Sequence, residues 1–336
     1  MVLHRFAAFS IVLALAACGS ARAADCADRQ SAGFRVLVLE SGRKVAVWYP
    51  AAAPEEPHAY TRNNNGFMGS IARDAPPVAC PRVPLVLFSH GLGGCALQTI
   101  FLTEELARHG YVVAAPDHAD AATCGIDDEG LRLRNLRTDQ SVLDPRRWND
   151  QSEIGRLHDM RAVIRLVADD PQLGRIADAK RVGAVGHSLG GYTALGMAGG
   201  WPTWKTPEVK AVLALSPFAA PFIAHGTLSK LTVPVMYQGG QFDFGVTPDL
   251  EGPNGAYAVT AAPKYFVKLK GGTHFEWTNF SCMGQPSVVA CLKAKPNVYL
   301  IDRYAIEFLD RHLKNKPSPG LAAGGRGLEK FEFEMR

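Results

Sequence analysis

Three side chains stand where they could act together on a carbonyl group. Ser188 lies in GHSLGG (186–191), with the apolar run Val182, Ala184 and Val185 before it and Tyr192, Thr193, Ala194, Leu195 and Met197 behind it. That is the strand–turn–helix setting of a nucleophile elbow. Gly186 and Gly190 carry no Cβ, so strand and helix can close tightly around the serine. A serine hydroxyl becomes nucleophilic only when a base takes its proton. His274, in GGTHFEW, follows the last predicted strand and is the expected base. Of the ten histidines, His187 is expected to point away from the nucleophile. His90 precedes a glycine loop, His158 and His312 fall on helices, and His118 and His225 lack a strand-end setting.

An imidazole that acts as base needs a carboxylate to fix its tautomer. Asp243, in QGGQFDFG, lies just past a strand and between Ser188 and His274, giving the order Ser, Asp, His. Asp249 on the same loop is its rival, and Asp117 is out of order. A developing oxyanion needs two main-chain N–H donors at about 3 Å. The expected donors are the amide of Leu189, next after the serine, and that of Leu92, in the SHGLGG loop.

These residues need strands to carry them. Residues 85–89, 111–115, 182–185, 209–215, 233–237 and 265–269 are short apolar runs, as strands buried on both faces require. Helical spacing separates several of them, at 99–109, 154–167 and 299–313. Asp150 is the expected N-cap of the second, with Glu153 three residues on. Alternating strands and helices specify an α/β domain whose mostly parallel central sheet is flanked by helices. Residues 34–49 read as a hairpin around Ser41-Gly42. Residues 50–82 read as an irregular connection, with Asn63, Asn64, Asn65 and Gly66 as an exposed turn. Residues 316–336 read as a flexible tail.

The N-terminus reads as an export signal. Arg5 precedes an apolar stretch at 7–17, and Ala21-Arg22-Ala23 is a small-residue cleavage site, so 1–23 are set apart from the fold. The apolar stretch is too short to cross a bilayer. Leu15-Ala16-Ala17-Cys18 also resembles a lipoprotein box, which would leave Cys18 lipidated. A membrane is expected as a partner only in that case. The protein is therefore expected to be exported: periplasmic or secreted, or else anchored through Cys18. Of seven cysteines, six lie beyond Cys18, an even number suited to an oxidising compartment. The expected pairs are Cys282 with Cys291, Cys95 with Cys124, and Cys26 with Cys80. No C-x-x-C or H-x-x-x-H spacing suggests a metal. A net charge of +4 without a basic, aromatic-interleaved run argues against nucleic acid. The mature chain of about 310 residues suits one large domain (24–315) with a cap-like insertion at 119–150. That insertion carries Arg132, Arg134, Arg137, Arg146, Arg147 and Trp148 and is read as a cap or as a solvated insertion. Phe218, Phe222, Phe275 and Trp277 are candidates for an apolar pocket or for core.

SHGLGG, ELARHGYVVAAPDH, GHSLGG and GGTHF together resemble the α/β-hydrolase superfamily, over roughly residues 35–313 and most specifically at 85–118 and 180–195. The similarity is greatest to the dienelactone-hydrolase-like branch that includes the plasma-type platelet-activating-factor acetylhydrolases. It implies the α/β-hydrolase fold and a serine esterase without metal or cofactor, acting on a small-molecule or lipid-like ester. One position departs from it. Where those acetylhydrolases, so aligned, carry their acid, this chain has Ser216, in LALSPF, which moves the acid to Asp243 and puts phospholipid specificity in doubt. An amidase, peptidase or lactonase would use the same groups. A catalytically inactive binding protein at the membrane is the alternative from another class.

Overall fold

The computed structural model describes residues 29–60, 68–79, 82–124, 141–261 and 263–335. One eleven-stranded sheet organises them. Its strands are β1 (Ser31–Val38), β2 (Lys44–Ala51), β3 (Glu56–His58), β4 (Gly69–Arg73), β5 (Val83–Ser89), β6 (Val112–Pro116), β7 (Ala177–His187), β8 (Val209–Leu215), β9 (Val235–Gly240), β10 (Lys264–Leu269) and β11 (Leu328–Glu334). Their spatial order is β11-β10-β9-β8-β7-β5-β6-β2-β1-β4-β3. The six strands from β10 to β6 are mutually parallel. β1 and β2 form the expected antiparallel hairpin, and β2 joins antiparallel to β6.

Helices cover both faces, as parallel strands buried on both sides demand. On one face α1 (Ile100–Arg108), α8 (Val288–Ala294) and α9 (Pro296–Lys314) pack over Val86, Phe88, Val113, Leu213 and Val267. On the other, α2 (Ile154–Asp169) and α4 (Leu189–Leu195) pack over Leu85, Leu87, Val182, Ala184 and Val212. Between these two lies α3 (Leu173–Ile176). Three short helices follow β8 and β9: α5 (Ala220–Ala224), α6 (Thr247–Leu250) and α7 (Ala256–Val259). In a parallel array every strand ends at the same edge. The loops after β5, β6, β7, β8, β9 and β10 therefore gather along one side, and the chemistry-bearing residues stand on them.

Three expectations need correction. The segment 316–336 is not a flexible tail: β11 pairs antiparallel with β10 over Lys264–Leu269. Phe331 packs against Tyr304 and Phe333 against Tyr265, while Glu334 pairs with Lys264. The alternation of Phe331, Glu332, Phe333 and Glu334 is the period-two pattern of an edge strand with one apolar face. The connection at 50–82 is not wholly irregular, because β3 and β4 pair with each other and β4 extends the sheet beside β1. Asp150 is not the cap of α2. That helix starts after Glu153, whose φ of 62° reverses the chain. Asp150 instead accepts a hydrogen bond from Thr203 through its carboxylate and one from the Trp204 indole through its carbonyl.

Two disulfides join the expected partners, Cys95 with Cys124 and Cys282 with Cys291. Cys26 and Cys80, Asn63 to Gly66, the expected leader at 1–23 with Cys18, and Arg132, Arg134 and Arg137 lie outside the described residues. Among those described, no helix is long and apolar enough to cross a membrane.

Candidate active site

Ser188 occupies the turn between β7 and α4 with φ 54° and ψ −117°. A side chain other than glycine is held in that region at a cost of about 1–3 kcal/mol, which the surrounding structure must offset. It does so by close approach. A Cβ on Gly190 would strike the carbonyl of Ser89, and one on Gly186 would strike the carbonyl of Gly190. The amide of Ser188 donates to Leu215 of the neighbouring strand, 3.0 Å away.

The structure brings Ser188, His274 and Asp243 into one hydrogen-bonded chain. Ser188 Oγ and His274 Nε2 are 3.0 Å apart, and His274 Nδ1 is 3.2 Å from Asp243 Oδ1. With Nε2 accepting the serine proton, Nδ1 carries the ring proton and donates it toward the carboxylate. Burial works against ionising Asp243. Hydrogen bonds from His274, Ser216 and Thr247 outweigh that effect and hold its carboxyl below the usual carboxylate range. Asp249, exposed on α6, takes no part in this chain. Asp117 accepts the amide of Ala96 instead.

Ser216, the residue at the departing position of the sequence resemblance, stands inside this arrangement. Its hydroxyl donates to Asp243 Oδ2 and lies 3.0 Å from His274 Nδ1. Nothing local in LALSPF announces this. Residues 216, 243 and 274 meet only because β8, β9 and β10 are neighbours.

His187 also has a role that its position in the motif does not reveal. It lies beneath His274, with ring centroids 4.8 Å apart and only 3% of its surface exposed. Gln98 Oε1 accepts the amide of Gly91 at 3.0 Å, so its NH2 group faces His187 Nδ1 at 3.1 Å. His187 must then hold its proton on Nε2, which donates to the carbonyl of His274 at 2.9 Å. Burial pushes this imidazole down to about 3, so it stays neutral. A continuous run, Gly91 to Gln98 to His187 to His274, ties the glycine loop after β5 to the histidine loop after β10.

A second buried network holds the glycine loop from below. Arg156 on α2 donates to the carbonyl of His90 at 2.8 Å, to Ser89 Oγ at 3.2 Å and to Asp120 at 2.6 Å. Asp120 accepts the amide of Gly93 at 3.1 Å. Burial opposes its ionisation, but the Arg156 charge, the His90 and His118 rings nearby and the Gly93 amide outweigh this and bring it down to about 2. Ser89, His118 and Asp159 form another Ser–His–Asp chain here, with contacts of 3.0 and 2.9 Å. All three are buried, so no substrate reaches that serine. The amides of Gly91 and Gly93 are thus both engaged by side chains. The Leu92 amide between them makes no hydrogen bond among the described residues. The amide of Leu189 is the first in α4 and has no intrahelical acceptor.

A cavity of about 430 Å³ opens onto Ser188. Its lining includes Leu92, Val142, Leu143, Phe218, Val246, Phe275 and Phe280 and, among the described residues, no Asp, Glu, Lys or Arg. Phe218 and Phe275 therefore line the pocket, whereas Phe222 and Trp277 are core. Trp148 is also fully buried, edge-on to Tyr192 and Phe218. No cluster of metal-ligating side chains occurs among the described residues.

Known proteins resemble this chain in sequence and in fold. The chain is 23% identical over 310 residues to the platelet-activating factor acetylhydrolase of Cavia porcellus, spanning 80% of this chain and 69% of that protein. It is 25% identical over 232 residues to Cutinase 2 of Thermobifida cellulosilytica, spanning 68% of each. A solved structure, the ferulic acid esterase from Streptomyces cinnamoneus, superposes with a TM-score of 0.67 at 23% identity. That match covers 93% of this chain and 98% of the other, and it shows a common fold. The sequence profile of the alpha/beta hydrolase family matches residues 86–327, well over half of the chain. The chain belongs to the alpha/beta hydrolase family.

Proposed function

We propose that this hydrolase cleaves carboxylic esters through an acyl-enzyme on Ser188, with His274 as general base and acid and Asp243 as its orienting carboxylate. The observation that carries the reading is the 3.0 Å contact between Ser188 Oγ and His274 Nε2 at the floor of an apolar cavity. His274 takes the hydroxyl proton as Ser188 Oγ adds to the ester carbonyl. The oxyanion that forms is met by the amides of Leu92 and Leu189. Collapse breaks the bond to the alkoxy oxygen, and His274 Nε2–H supplies the proton with which the alcohol leaves. A water molecule then gives its proton to His274 and adds to the acyl carbon. Collapse of that adduct releases the acid and restores the serine hydroxyl.

The absence of charged side chains from the described lining favours an uncharged, apolar acyl or alcohol group. Relatives named as an acetylhydrolase and a cutinase support ester cleavage as the reaction. Two disulfides fit an oxidising compartment, and with the leader at 1–23 they support export of the enzyme, with Cys18 as the point of attachment if it is lipidated. Hydrolysis of p-nitrophenyl esters of increasing acyl length, set against peptide anilides, tests the substrate class. Ester turnover well above anilide turnover is expected, and loss of the ester activity in His274→Ala is expected from the loss of the base. Preferred cleavage of the anilides would overturn it.

A further inference from the structure

Asp243 is carried by an exposed loop. Phe242 and Phe244 on either side of it are 53% and 77% exposed, and Gly245 follows. An orienting carboxylate on such a loop needs anchors, because a small displacement of the imidazole it steadies costs rate. Two hydroxyls supply them, both on Oδ2. Thr247 Oγ lies 3.2 Å from that oxygen, and Ser216 donates to it from the end of β8. Oδ1 is left facing the imidazole.

Ser216 differs from Thr247 in three ways. Its main chain is fixed to the sheet, its amide donating to Gln238 of β9 at 2.7 Å. Its φ is 41°, a left-handed conformation that favours glycine, so the serine stands there against the backbone's preference. Its Oγ also sits 3.0 Å from His274 Nδ1, closer than the carboxylate oxygen at 3.2 Å. One hydroxyl thus donates its hydrogen to Asp243 and offers its lone pair to the ring proton of His274. It is absent from the cavity lining.

We propose that Ser216 is a positioning residue of the reaction, bridging the Asp243 carboxylate and His274 Nδ1 so that a loop-borne acid is locked to the rigid end of β8. The proposal rests on the roles given to Ser188, His274 and Asp243 above. Strain at this site is stored for the hydroxyl, and a glycine would relieve the strain while losing the bridge.

Ser216→Gly and Ser216→Ala are therefore the variants to compare, singly and in an Asp243→Asn background. The readouts are kcat and KM on a p-nitrophenyl ester, counted per active site by fluorophosphonate titration, together with Tm. In Ser216→Gly we expect Tm no lower than in the parent and KM within about twofold. Its kcat should fall about 10- to 100-fold, the range for a lost hydrogen bond to a charged group. Because the bridge ends on both Asp243 and His274, adding Ser216→Gly to Asp243→Asn should cost less than the same change costs in the parent. Parental kcat per titrated site in Ser216→Gly overturns the proposal, and so does a full additional loss in the Asp243→Asn background. If Asp243→Asn alone has parental kcat, it is the assignment of Asp243 that fails, and the single Ser216 variants still report on the bridge to His274.

Discussion

Ser188 and Ser216 reach the two nitrogens of one imidazole at the same distance, 3.0 Å from His274 Nε2 and Nδ1. Both serines end neighbouring parallel strands, and both have positive φ, 54° and 41°. One is presented to the apolar cavity and the other is sealed in the sheet. A pair of strained strand ends thus holds the histidine between a nucleophile and a support.

The carboxylate assignment is open to a direct comparison. Asp243→Asn keeps the shape of the side chain but removes the charge that fixes the His274 tautomer. A loss of kcat of about 10³- to 10⁴-fold is expected. Asp249→Asn, at an exposed position of α6 and apart from the imidazole, should stay within about twofold of the parent, a range set by the small effect of surface changes. Steady-state kinetics on one ester decides between them, and the reverse pattern would transfer the role to Asp249.

Stability should decline on the acid side partly through His187. An unfolded histidine titrates near 6.5, whereas burial brings the folded imidazole down to about 3. Between those values the unfolded chain binds a proton that the folded chain does not. The contribution is therefore complete above pH 6.5 and is lost as the pH falls toward 3, by up to about 1.4 kcal/mol per pH unit. Urea unfolding of His187→Gln across that range should show a slope shallower by one proton, with His90 and His118 still contributing. An unchanged slope would mean that His187 is charged in the folded protein.

Arg156 is expected to matter for stability as well as rate. It is 2% exposed and pairs at 2.6 Å with Asp120, which accepts the Gly93 amide of the glycine loop. Arg156→Met leaves a buried carboxylate without its counter-ion, a change that costs about 3–5 kcal/mol. Arg156→Lys should recover only part of this, since an ammonium cannot reach His90, Ser89 and Asp120 at once. Denaturant titration measures both, and a loss below about 1 kcal/mol in Arg156→Met would show that the loop is held by other contacts.

Much of the site was legible in the sequence because its signals are local. GHSLGG carries the backbone requirement of the Ser188 turn in its own glycines. His274 and Asp243 each follow an apolar run short enough to be a strand, and parallel strands deliver their ends to one edge. Gln98, Arg156 and Ser216 left no such trace. Gln98 and His187 are 89 residues apart, and Arg156 and Ser89 are 67 apart, so only the packing of α1 and α2 on the sheet joins them. Ser216 was visible as the wrong residue type for an acid, but its contact with Asp243 depends on the β8–β9 register. The β11 strand was there to be read in the alternation of Phe331 and Phe333, which polar neighbours and nearby glycines obscured.

The central claim is that Ser188 is the nucleophile, and covalent capture tests it most directly. The folded protein would be treated with a fluorophosphonate, digested and mapped by mass spectrometry. A single phosphonyl adduct on Ser188, absent in Ser188→Ala and strongly slowed in His274→Ala, is the predicted result. An unlabelled folded protein, or an adduct on another serine such as Ser216 or Ser89, would contradict it.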